Sequence, residues 1–148
     1  MAGNSESIKK DTNKRKLGDI IYLDNEWIND YVLQSANFST GSTSRTDVTG
    51  MSVTKYCERD MKVLILFTAR LQIEHLSYAI VNLDIDGVTQ YPELYGATIE
   101  IWMTRTGHTI SELAAGSHVF KLQLRSSVLG QAVQINSNSI LNVIEIHK

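Results

Sequence analysis

The side chains able to carry chemistry in this 148-residue chain are four histidines, one cysteine and scattered carboxylates. His75, His108, His118 and His147 lack the H-x-H or H-x₃-H spacing that sets two imidazoles on one metal, so ligation would need a symmetry axis. Asp84-Ile85-Asp86-Gly87 opens like a calcium loop. The third acidic position and the distal bidentate glutamate are not at the required spacing, so the segment reads as a strand end and a turn. Cys57 stands alone, which excludes an intrachain disulfide and a cysteine-based zinc site. It reads as a small buried filler, with no base placed to activate it. There is no glycine-rich phosphate loop, nucleophile elbow or acid–base pair. The expectation is a protein that binds and does not catalyse, with no cofactor and no metal.

The elements that must position these residues read as strands. A single proline and an apolar content of 43% fit one β-rich domain. Ahead of it, residues 1–16 form a polar arm with Lys9, Lys10, Lys14, Arg15 and Lys16 against Glu6 and Asp11, a net of +3. The overall charge of −2 therefore leaves −5 on residues 17–148, the folded domain. A basic arm on an acidic domain is a common form of attachment tail. The arm has no apolar run and reads as neither signal peptide nor anchor, and no later segment approaches a membrane span.

Ile20–Leu23 reads as a short strand and Tyr31–Phe38 as a second, with Trp27 sealing the core between them. Residues 41–50 read as a surface loop, followed by the strand MSVTKYCER with Met51, Val53 and Cys57 on one face. The strongest strand is MKVLILFTARLQIE: Met61, Val63, Ile65, Phe67, Ala69, Leu71 and Ile73 share one face, and Leu64 and Leu66 intrude on the polar one. SYAIVNLDIDGV ends in an Asp86-Gly87 turn. Tyr91 and Tyr95 flank Pro92 in a loop, ATIEIWMTRT alternates again, and GHTISELAAG reads as a polar connection with a short helical turn. HVFKLQLRSS points Phe120, Leu122 and Leu124 inward; QAVQIN and SILNVIEI close the chain. About eight or nine short strands without a long helix indicate an antiparallel sandwich or jelly roll.

The last strand, SILNVIEI, is apolar on both faces, which is more apolar surface than one side of a small sandwich needs. The surplus points to self-association. Two loop regions offer adaptable contact residues on a rigid scaffold, Ser42 and Arg45 in one and Tyr91 and Tyr95 in the other.

Ala115-Gly116-Ser117-His118 entering a strand, and a final strand bearing Ser139, Leu141, Val143 and Glu145, resemble the closing strands of the tumour-necrosis-factor/C1q-like jelly roll. The compact form found in phage and prophage structural proteins is the best match. The resemblance spans roughly residues 60–146. It implies an all-β, antiparallel jelly-roll β-sandwich, with an extended N-terminal arm, assembled as a homotrimer about its inner sheet. Ile140, Leu141, Val143, Ile144 and Ile146 then supply the interface strand: either Leu141 and Val143 face the core and the isoleucines face neighbours, or the reverse. The function implied is a non-enzymatic virion protein, made in the host cytoplasm: a phage head decoration protein or short head fibre docked to capsid or other virion proteins by its arm. The alternative is a receptor- or glycan-binding module at a tail or fibre tip. Membrane is not an expected partner. Nucleic acid is disfavoured, because the acidic domain behind the arm would repel phosphates.

Overall fold

The structure, a computed structural model, describes residues 29–74, 77–90, 93–96 and 102–146. The basic arm, the expected strand at 20–23, Trp27, His75, Tyr91, residues 97–101 and His147 lie outside the described residues. Eleven strands are described: β1 (Asn29–Leu33), β2 (Phe38–Thr40), β3 (Thr46–Cys57), β4 (Met61–Ile73), β5 (Ala79–Ile85), β6 (Val88–Thr89), β7 (Leu94–Gly96), β8 (Met103–Leu113), β9 (Gly116–Ser126), β10 (Val133–Ile135) and β11 (Ile140–Ile146). They form two antiparallel sheets packed as a jelly-roll sandwich, the architecture the alternating pattern implied.

In the first sheet β4 is the spine. Along one edge it pairs β8 from Met61↔Leu113 to Leu71↔Met103; along the other it pairs β11 and then β10. Beyond these, β1 pairs β11 and β2 pairs β10. In the second sheet the order is β3-β9-β5, and the far edge of β5 pairs β7 at its start and β6 at its end. Strict alternation drives the packing. Val63, Ile65, Phe67, Ala69, Leu71 and Ile73 of β4 meet Phe120, Leu122 and Leu124 of β9 in one core cluster that also takes in Leu141 and Val143.

Two local devices hold the frame. The β5–β6 hairpin turns on Asp86 (φ 53°) and Gly87 (φ 87°), both left-handed as a two-residue primed turn requires. In β8, a Cβ at Gly107 would lie 2.5 Å from Cζ of Phe67, so only glycine lets that ring lie against the strand.

Three readings are corrected. The expected strand over 31–38 is two strands, broken where Gln34 N–H donates to the Ser139 carbonyl. The loop expected over 41–50 is half strand: β3 begins at Thr46 and carries a register shift between Asp47 and Ser52. GHTISELAAG is mostly strand and not a connection with a helical turn: residues 107–113 belong to β8, and only Ala114 and Ala115 link it to β9. Its inward positions, Gly107, Thr109 and Ser111, are small or polar, so the alternation does not appear as hydrophobicity.

Candidate binding faces

The two sheets turn very different outer faces to solvent. On the first sheet, the residues of β11 alternate: Leu141 and Val143 are fully buried in the core, while Ile140, Ile144 and Ile146 lie half-exposed on the outside. Leu141 and Val143 are therefore core residues and do not reach the outer surface, a correction to counting them in an interface. The register sets Ile144 beside Leu64 of β4, and Leu64 beside Ile110 of β8. The next row outward runs Tyr31, Asn142, Leu66 and His108, and the one after it begins Leu33, Ile140. Tyr31, Leu33 and Ile110 are 65%, 55% and 60% exposed. Their contiguity on one face makes an apolar patch of the kind that marks interaction sites, with a Lys62–Glu112 ion pair at its edge. Leu64 and Leu66, the apolar residues that intruded on the polar side of β4, are the sequence signal for this face.

The second sheet is knitted with polar groups. Residues in register run Arg125, Ile80 and Tyr95 across β9, β5 and β7. The next row carries Asp47, Gln123 and Asn82. Glu93, just before β7, accepts hydrogen bonds from Arg125 (2.8 Å) and from Arg45, whose Nε also donates to Asn82 Oδ1 (3.1 Å). Asn82 Nδ2 donates to Gln123 Oε1, Gln123 Nε2 to Asp47 Oδ1, and Lys121 Nζ to Asp47 Oδ2. Burial would raise the Glu93 pKa, but the two guanidinium hydrogen bonds overcome it and hold the carboxylate ionised below its usual range. The Lys121 and Gln123 hydrogen bonds hold Asp47 low in the same way.

Of the candidate loop residues, Arg45 and Tyr95 fall on this side, and Tyr95 lies in strand β7, a correction to reading it in a loop. Arg45 is tied into the network, and Tyr95 packs edge-on against Tyr78, with centroids 6.3 Å apart and rings at 78°. Ser42 is half-buried; its carbonyl accepts from Ser126 N–H and its Oγ from Ser44 N–H. The calcium-like segment is a turn device: Asp84 Oδ1 caps Gly87 N–H and Asp86 Oδ1 accepts from Val119 N–H. Among the described residues, no group of three or more His, Cys, Asp or Glu side chains could hold a metal.

Two titratable groups, Lys55 and His118, have partners that the sequence reading did not foresee. Lys55, 4% exposed, reaches from β3 across the sandwich to Glu145 of β11 (2.6 Å) and Asp30 of β1 (2.9 Å). Burial opposes its charge, yet the two carboxylate hydrogen bonds more than compensate and raise its pKa. Period-2 counting from Val53 and Cys57 places Lys55 inward, which was the available signal. His118 sits between two acceptors, Asp86 Oδ2 at 2.7 Å from Nδ1 and the Ala114 carbonyl at 2.8 Å from Nε2. The Asp86 hydrogen bond, then the Ala114 one, raise its pKa. Cys57 is fully buried, and that burial pushes its thiol up and away from reactivity. A shallow depression of about 300 Å³ beside Asp60 and Glu112 offers no reactive arrangement: Asp60 accepts from Ala115 N–H and Lys62 pairs with Glu112.

No protein-family model and no curated protein matches this sequence. Among solved structures, the chain superposes on Eiger TNF from S. frugiperda with a TM-score of 0.54 at 10% identity, covering 83% of this chain and 94% of that one. A CBM36-1 domain of a multidomain xylanase from the hindgut metagenome of Trinervitermes trinervoides gives a TM-score of 0.46 at 16% identity, over 78% and 96% of the two chains. A family 35 carbohydrate binding module from Clostridium thermocellum gives 0.45 at 10% identity, over 78% and 97%. With the two antiparallel sheets, the likeness to Eiger TNF supports a TNF-like jelly roll as the fold class.

Proposed function

We propose that this chain is a non-enzymatic structural and binding protein that works as a homotrimer, its subunits meeting through the outer face of the first sheet. The observation that carries the reading is the apolar surface that Tyr31, Leu33, Leu64, Ile110, Ile140 and Ile144 make on one sheet face. Covering such a surface is worth about 25 cal/mol per Å² before the costs of association are met. Within that reading the trimer is a virion component, a phage head decoration protein or short head fibre. Its basic residues Lys9, Lys10, Lys14, Arg15 and Lys16 attach it to the capsid.

Light scattering on the full chain tests the assembly: the expected mass is three times the 16.6 kDa chain, and Ile144→Asp reduces it to one chain with the β-sheet circular dichroism unchanged. A wild-type monomer at micromolar concentration would overturn the trimer. Deleting residues 1–16 separates the second part, since it should release the protein from particles while leaving the trimer whole. Particles that keep the truncated protein would remove the attachment role.

A further inference from the structure

The outer face of the second sheet has a composition that self-association through the first sheet does not use. Tyr78 and Tyr95 are each about half exposed, 50% and 51%, and their rings stand nearly perpendicular beside Ile80. Next to them lie planar polar groups on strands and at their ends: the Arg45–Glu93–Arg125 bridge, in which Arg45 and Glu93 directly precede β3 and β7, and the Asn82–Gln123–Asp47 chain. Hydrogen bonding among themselves fixes their orientation in advance, so a ligand would not have to order them. Arg45, Lys121 and Arg125 stand against Asp47, Asp84 and Glu93, and Arg105, whose Nε donates to the Tyr95 carbonyl, adds one positive charge at the edge, so the face is close to neutral. Such a face attracts neither a strongly anionic nor a cationic partner. Neither does it offer the continuous apolar centre that a protein hot spot needs.

We infer that this face is a binding platform for a neutral glycan, with Tyr78 and Tyr95 as stacking surfaces and the Arg45, Arg125 and Gln123 groups, held in place by the buried Glu93, as hydrogen-bonding partners for hydroxyls. A sugar ring matches both halves of the site. Its apolar C–H face lies against an aromatic ring, and its equatorial hydroxyls meet side chains that both donate and accept. The uncharged, hydroxyl-rich ligand fits the charge-balanced network, and the two tyrosines bring large contact area at small entropic cost. The platform lies on the opposite sheet from the proposed trimer face, so assembly would leave it open, and three copies would add avidity to a weak single site.

The test applies the full chain to immobilised neutral gluco-, galacto-, manno- and xylo-oligosaccharides, with sialylated and sulfated oligosaccharides alongside. Retention on at least one neutral series is expected, with binding at least tenfold weaker for Tyr95→Ala and for Gln123→Ala. Tyr95→Trp, which keeps a stacking ring, should retain it, and Tyr56→Ala, exposed elsewhere on the chain, should leave it unchanged. Melting temperature and mass measured on each variant separate a lost site from a lost fold or a lost trimer. Retention on anionic glycans alone, retention on none, or equal retention by Tyr95→Ala would each overturn the inference.

Discussion

The outer surfaces of the two sheets are built from the same alternating strands, yet one is apolar and simple while the other is polar and cross-linked. On the first sheet, Ile144, Leu64 and Ile110 stand side by side in register without hydrogen-bonding groups between them. On the second, the equivalent rows are Arg125, Ile80, Tyr95 and Asp47, Gln123, Asn82, and every member of the latter row is hydrogen-bonded to its neighbour. An apolar face left in water raises the free energy of the subunit until something covers it. A polar face whose groups satisfy one another is stable as it stands. The first arrangement suits a permanent partner and the second a reversible one, and on that difference rests the proposal of assembly through one face and glycan binding through the other.

The sharpest way to break this comparison uses neighbours on β11. Leu141→Ala empties a fully buried core position and should cost about 2–5 kcal/mol at any protein concentration. Ile144→Ala removes surface from the proposed interface instead. Its penalty in denaturant unfolding should shrink toward zero as the protein is diluted to monomer, because stability gained by assembly depends on concentration. An Ile144→Ala penalty that is as large as the Leu141→Ala one and insensitive to dilution would mean that both faces of β11 serve the subunit alone.

On the polar face the expected pattern is inverted. Glu93 is 6% exposed and receives both guanidinium groups, so Glu93→Ala leaves two cations without their carboxylate. Hydrogen bonds to charged groups contribute about 1.5–3 kcal/mol, and the melting temperature should fall accordingly while the mass by light scattering stays the same. A Glu93→Ala protein that melts like wild type would show the network to be ornamental, and its preorganising role in the proposed glycan platform would go with it.

How much of this was legible beforehand differs between the two faces for a physical reason. The apolar face left its mark in the chain as residues out of pattern: Leu64 and Leu66 on the polar side of β4, and Ile140, Ile144 and Ile146 on the spare side of β11. Tyr31 and Leu33 joined it only once pairing of β1 with β11 was known. The polar face left almost none. Arg45, Glu93 and Arg125 are far apart in sequence, and only the β3–β9, β5–β9 and β5–β7 registers bring them to one place. Strands behave likewise: β4 and β9 announced themselves by large inward side chains, whereas β8, with Gly107, Thr109 and Ser111 inward, depended on β4 to define it. Lys55 breaks the rule that charges lie outside, and it is tolerated because Glu145 and Asp30 come to it from the other sheet.

The smallest expected effect belongs to His118, at the hinge between β9 and the polar sheet's β5–β6 turn. Its two nitrogens face a carboxylate and a carbonyl, so both must carry hydrogen for both bonds to form, and that is the imidazolium. The folded protein therefore binds this proton more tightly than the unfolded chain, whose histidine titrates near 6.5. The stabilisation is fully present below pH 6.5 and is lost as pH rises through the higher folded value. Asp86 is 43% exposed, which limits the contribution to about 0.5–1 kcal/mol. At about 2–4 °C per kcal/mol for a chain of this size, the wild type should lose a few degrees between pH 6 and pH 9 that His118→Gln does not lose. Superimposable profiles for wild type and His118→Gln would mean that the two bonds contribute nothing to the fold, and the turn would then rest on the Val119 N–H to Asp86, Asp86 N–H to Val119 carbonyl and Gly87 N–H to Asp84 bonds.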